Sequence, residues 1–126
     1  MTAQLSTIII FCTNVKRLVD FYCDCFGFKI TGEANDEWTV INTGSIEIGF
    51  HRIGKKYLTA KDENFKAGNN IKLVFGIESG WDEFRKKLID KNVTIGETKQ
   101  FPGVDYIICD GTDPEKNVFQ LKQYIR

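Results

Sequence analysis

The chain has 126 residues, with 17 Lys and Arg against 17 Asp and Glu for a formal net charge of zero, one His and four Cys. That length holds about one domain with a real core and is too short for two independent ones. Balanced charge without a long Lys/Arg run excludes a dedicated nucleic-acid or membrane-surface binder. The longest apolar run, Ile8 to Cys12, falls far below the roughly 20 residues of a spanning helix. With no leader-like segment ahead of it, the expected location is the cytoplasm. The cysteines, Cys12, Cys23, Cys25 and Cys109, lack zinc-ribbon or redox spacing. Cys23 and Cys25 stand about 200° apart around a helix and cannot jointly grip one ion, so reduced core thiols are expected.

In chain order, Gln4 to Cys12 reads as a buried strand rich in β-branched residues. Asn14 then caps a helix whose apolar face is Val15, Leu18, Val19, Tyr22, Cys25 and Phe26, and Gly27 ends it in the left-handed conformation. Phe28 to Ala34, Glu37 to Asn42 and Ser45 to Arg52 follow as strands, the last two joined at Thr43-Gly44. Gly54 to Asn70 is polar and aperiodic, a linker that can serve as a lid. Ile71 to Ile77 is again a strand. Ser79, with Asp82 or Glu83, caps a helix running to about Asp90. Val93 to Thr98, Val104 to Asp110 and Asn117 to Tyr124 complete the order as strands, with Asp110 to Lys116 as the last turn.

The two halves repeat. A constant step carries Leu18, Phe21 and Cys25 of the first helix onto Trp81, Phe84 and Leu88 of the second, and each helix leads to a Gly-Glu pair, Gly32-Glu33 and Gly96-Glu97. The expected fold is α+β: two tandem βαβββ modules, residues 1–53 and 71–126, forming cupped mixed sheets in one domain with the linker 54–70 between them.

Four motifs point to a family: the opening strand with Asn14 behind it, Phe21-Tyr22, Phe26-Gly27-Phe28, and Asp113-Pro114 before the final strand. In their order over both halves the chain resembles the vicinal oxygen chelate superfamily, which groups glyoxalase I, bleomycin-resistance proteins, fosfomycin-resistance proteins and extradiol dioxygenases. The resemblance implies paired cup-shaped modules around one site, often in a homodimer. In enzymatic members His, Gln and Glu side chains from the first and last strands of the modules hold a divalent metal. Those positions fall here on Thr7, Glu47, Lys72 and Gln120. Glu47 alone is an ordinary ligand, Gln120 is neutral, Thr7 is weak, and an ammonium at Lys72 repels a cation. The lone His51 lies four residues beyond Glu47, about 13 Å along an extended strand. No metal and no other cofactor is therefore expected.

The expectation is a small-molecule-binding protein of the glyoxalase/bleomycin-resistance group, holding an organic ligand in an inter-module cleft. Thr7, Glu47, Lys72 and Gln120 would form its polar floor, with Lys72 neutralising Glu47. Trp38, Phe50, His51 and Tyr57 would touch the ligand, as flat apolar side chains suit a planar or amphipathic molecule. The alternative is an enzyme of the same fold, a glyoxalase-type lyase or isomerase or a dioxygenase-like metalloenzyme. There Glu47 moves a proton or binds the metal, and Lys72 can act as a base.

Overall fold

The structure, a computed structural model, describes residues 2, 5, 7–54 and 71–125. Two compact units divide the chain, residues 1–67 and 68–126. In chain order the elements are β1 (Thr7–Cys12), α1 (Val15–Phe26), β2 (Lys29–Ala34), β3 (Trp38–Asn42), β4 (Glu47–Arg52), β5 (Leu73–Gly76), α2 (Trp81–Asp90), β6 (Tyr106–Thr112) and β7 (Val118–Tyr124). This is the α+β architecture with two βαβββ-type modules. Among the described residues no helix is long and apolar enough to cross a membrane. Most of the linker, with Tyr57, lies outside the described residues.

In the first unit the strands lie in the order β1-β4-β3-β2. The ladder β1·β4 is parallel, while β4·β3 and β3·β2 are antiparallel. The helix forms where the sequence indicates. Asn14 Oδ1 accepts the Arg17 amide at 3.0 Å, and Gly27, at φ 75°, returns its amide to Cys23 O, satisfying end groups the helix itself leaves open. Val15, Leu18, Val19, Tyr22 and Cys25 form its buried stripe. They meet the β4 residues Ile48 and Phe50, both fully buried. The Tyr22 and Phe50 rings stack at 5.6 Å and Tyr22 and Phe26 at 5.7 Å.

The second unit has the order β5-β7-β6, with β5·β7 parallel and β7·β6 antiparallel. Phe119, Leu121 and Cys109 are its buried strand residues. Two local expectations change. Ser79 does not cap α2; Gly80 occupies the cap position at φ 80° with no side-chain hydrogen bond, and Asp82 and Glu83 sit in the first turn, where their charges complement the helix dipole. Residues 93–98 do not form a strand. They run antiparallel to β6 through the bridges Ile95↔Gly111 and Lys99↔Ile108, between which the register slips by one residue and interrupts the ladder. Arg85 on α2 takes the Gly96 carbonyl at 2.8 Å, and Trp81 Nε1 donates to Thr98 Oγ1 at 2.9 Å.

Each sheet lays an aromatic ring across a glycine of the adjacent strand. A Cβ on Gly49 would stand 2.2 Å from Trp38 Cη2, and one on Gly111 would stand 2.5 Å from Phe119 Cζ. Phe119 is fully buried, whereas Trp38 is only partly buried. We expect Gly111→Ala to cost about 1–3 kcal/mol through overpacking, measured by urea denaturation. Gly49→Ala is expected to cost less while displacing the Trp38 indole, seen as a change in its Nε1–H resonance. Asn14→Ala removes one cap bond and is expected to cost about 1 kcal/mol in the same measurement.

Candidate functional site

Strand alternation divides the first sheet into two faces. Ile48 and Phe50 turn to α1, so Glu47, Gly49 and His51 turn to the far face, and the register places Thr7, Ile9 and Phe11 of β1 beside them. From β3, Asn42, Val40 and Trp38 stand opposite Glu47, Gly49 and His51. Thr7 and Glu47 are direct neighbours across the β1·β4 ladder. Phe50, expected to touch ligand, is instead a core residue, stacked on Tyr22 and 0% exposed, because it is one residue out of phase with Gly49 and His51.

The far face is aromatic at its centre. The benzenoid edge of Trp38 covers Gly49, which has no side chain to push it away. His51 lies 5.9 Å from the Trp38 ring and 5.5 Å from Phe11. Phe11 and Ile9 are each 48% exposed. Glu47 is partly buried, and its Oε2 accepts the Thr31 hydroxyl at 3.0 Å. His51 Nδ1 lies 2.8 Å from the Arg52 carbonyl oxygen. A carbonyl can only accept, so the neutral ring carries its proton on Nδ1 and leaves Nε2 as an acceptor.

In the second unit the far face of the sheet carries a second polar group. Asp110 and Gln120 are neighbours across the β6·β7 ladder. Asp110 Oδ1 accepts from Gln120 Nε2 at 3.2 Å, and its Oδ2 pairs with Lys72 Nζ at 3.3 Å. Within its own unit the counter-charge of Lys72 is thus Asp110, a partner the sequence reading did not name. The Lys72 and Asp110 side chains are 44% and 50% exposed, which makes this a solvated pair of modest worth. Further along β7, Lys122 Nζ stands 4.2 Å from the Tyr106 ring centroid and 4.9 Å from that of Tyr124.

Other features do not carry the chemistry. Burial pushes the Cys109 thiol up from its ordinary pKa against the lowering influence of Arg85, and burial followed by Asp24 raises Cys23. Thiols so shifted are poor nucleophiles at neutral pH. A groove of about 220 Å³ beside α1, lined by Val19, Ile30, Ala34 and Thr39 among others, contains none of the sequence-derived candidates. Asp113 binds the amides of Glu115 and Asn117 and the Asn117 side chain, each at 2.9 Å, so its place in the motif is to close the turn into β7.

The residues at the family's metal positions do not fit a divalent ion. Lys72 is a cation already tied to Asp110, Gln120 offers one neutral oxygen, and Glu47 is the single carboxylate among the four. Among the described residues no cluster of three or more His, Cys, Asp or Glu is arranged to hold a metal. Sequence reasoning missed Phe11, Thr31, Gly49 and Asp110. Phe11 and Gly49 were within reach, since each keeps the two-residue phase of a named candidate, Thr7 or Glu47. Thr31 and Asp110 required the registers of β2·β3 and β6·β7.

The model of the Glyoxalase/Bleomycin resistance protein/Dioxygenase superfamily matches residues 4–121. Similar solved structures include a glyoxalase/bleomycin resistance protein/dioxygenase family enzyme from Burkholderia phytofirmans, at 21% identity and TM-score 0.79, covering 98% of this chain and 100% of that one. A fosfomycin resistance protein from Listeria monocytogenes superposes at 14% identity and TM-score 0.76, over 98% and 94% of the two chains. A lactoylglutathione lyase from Agrobacterium tumefaciens does so at 12% and 0.70, over 97% and 94%. At these identities the structural likeness concerns the fold. No functionally curated protein matches the chain in sequence. The match of the family model over most of the chain shows that this protein belongs to the Glyoxalase/Bleomycin resistance protein/Dioxygenase superfamily.

Proposed function

We propose that this cytoplasmic protein, a homodimer, binds a small organic molecule without a metal, in an inter-module cleft. The observation that carries this reading is the surface around Trp38: an indole laid over Gly49, Phe11 and His51 beside it, and the carboxylate of Glu47 at one end of the same strand face. Flat apolar groups with a few placed polar atoms are what a ligand pocket of this kind requires. Thr7 and Gln120 complete the polar floor, and Lys72 belongs to it through Asp110.

A second reading, a glyoxalase-type lyase or isomerase with Glu47 as the proton-transfer group and Lys72 as its catalytic partner, is favoured by one observation. The Glu47 carboxylate is partly buried and commits only one oxygen to a neighbour, which leaves the other for a substrate proton.

A ligand bound only by the folded state stabilises it by RT ln(1 + [L]/Kd), about 2.7 kcal/mol at a hundredfold excess over Kd. Thermal melts of metal-stripped protein are expected to show no saturable shift with nickel, zinc, manganese or ferrous ions, and a saturable shift with members of a small-molecule panel. A metal-dependent shift lost in Glu47→Gln would replace the first reading with a metalloenzyme. Sedimentation equilibrium is expected to give twice the chain mass; a monomer at micromolar concentration would remove the dimer from the proposal.

A further inference from the structure

The hydrogen-bond polarity of the first unit's far face is set by side chains and backbone behind it. The Thr31 hydroxyl lies 3.0 Å from Glu47 Oε2 and 3.4 Å from the Val40 carbonyl oxygen, and the nearer, charged acceptor takes its one proton, which leaves Glu47 Oε1 as a charged acceptor for a ligand. The Arg52 carbonyl accepts from His51 Nδ1–H at 2.8 Å, so in the neutral imidazole Nε2 is the acceptor. Glu47 and His51 share one face of β4 with their backbones about 13 Å apart. Between them lie the Trp38 ring over Gly49 and the half-exposed Ile9 and Phe11. The strip therefore reads acceptor, flat apolar surface, acceptor, with one negative charge from Glu47.

Among the described residues the nearby cations do not reverse that sign. Arg52 is one residue out of phase and holds Glu37 at 3.1 Å. Lys29 stands on β2 beyond Asn42, two strands from Glu47. A carboxylate or phosphate laid on this strip would meet like charge at one end and an acceptor at the other, with only neutral donors such as the Trp38 indole N–H to set against them. An N–H-bearing cation satisfies both ends, and its charge gains from the π faces between them.

Resting on the small-molecule reading above, we propose that the ligand is an elongated planar organic cation with N–H donors toward its ends, such as an aromatic amidine or amine, and that Thr31 is the positioning residue for the Glu47 carboxylate. Glu47 and His51 anchor the ends, and Trp38 supports the ring system.

The test uses three probes of one shape, biphenyl-4,4′-dicarboxamidine, biphenyl-4,4′-dicarboxamide and biphenyl-4,4′-dicarboxylate, titrated into the full chain and followed by the indole Nε1–H resonances of Trp38 and Trp81. The diamidine is expected to move the Trp38 signal saturably and to leave that of Trp81, bonded to Thr98, in place. It is expected to bind at least tenfold more tightly than the diamide, with the dicarboxylate weakest. Glu47→Gln keeps an oxygen for Thr31 and removes the charge; it is expected to weaken the diamidine at least tenfold and the diamide markedly less. Thr31→Val is expected to weaken the diamidine several-fold, with the melting temperature of each variant as the folding control. If the dicarboxylate or diamide moves Trp38 as readily as the diamidine, the ligand class is overturned while the small-molecule reading stands. If none of the three moves Trp38, this proposal falls, and the melt panel above decides the broader reading separately.

Discussion

The stacking of Tyr22 on Phe50 is the contact on which the first unit depends. Phe50 lies in the middle of β4, the strand that pairs with both β1 and β3. A β-strand has a side-chain period of two, so fixing one residue to the helix side fixes every other residue of the strand. With Phe50 and Ile48 held against α1, Glu47, Gly49 and His51 have no choice of face. A slip of one residue would bury a carboxylate and an imidazole under the helix and expose two large apolar side chains. Each such exchange costs several kcal/mol in desolvation and lost burial. The core thereby sets the composition of the far face, although none of its own atoms reaches it.

The same logic acts in the second unit with different side chains. Phe119 and Leu121 are buried, so Gln120 and Lys122 between and beyond them turn the other way. The two sheets also share the device of a ring resting on a glycine, but they use it on opposite sides. In the first unit Trp38 occupies the far face, where a ligand can meet it; in the second, Phe119 occupies the core. The repeated unit thus keeps the order strand, helix, strands while each module places its glycine-covering aromatic ring on a different side of its sheet.

Much of this was legible in the sequence because it rests on local rules. The cap at Asn14, the stop at Gly27 and the apolar stripe of α1 each depend on residues within a few positions of one another. Glu47 was placed correctly on β4 for the same reason. Phe50 was misassigned by weighing its aromatic character above its phase relative to Glu47. Ser79 failed as a cap because Gly80 adopts a backbone conformation open to few other residues and starts the helix one position later. The strand expected at residues 93–98 was lost to tertiary contacts: Arg85 and Trp81 on α2 take up groups of that segment, and its register against β6 slips. Asp110 as the partner of Lys72 lay beyond sequence reading altogether. The two are far apart in the chain, and only the joint registers of β5·β7 and β7·β6 bring them together.

Asp110 also bears on what a lysine does at a position where the family resemblance would place a metal ligand. A lysine at a position where relatives carry a ligand would leave a charge seeking compensation. Here that compensation comes from β6, across β7 in the same sheet, at 3.3 Å, and the same carboxylate accepts from the amide of Gln120. Because an ionised carboxylate offers only acceptors, Gln120 must turn its nitrogen toward Asp110 and its oxygen away. The lysine is thus paired with Asp110, and Asp110 in turn sets which way the Gln120 amide faces. Recognition at such a face rests on hydrogen-bond direction and charge, and the fold that can position metal ligands supplies the same rigidity to a site built from side chains alone.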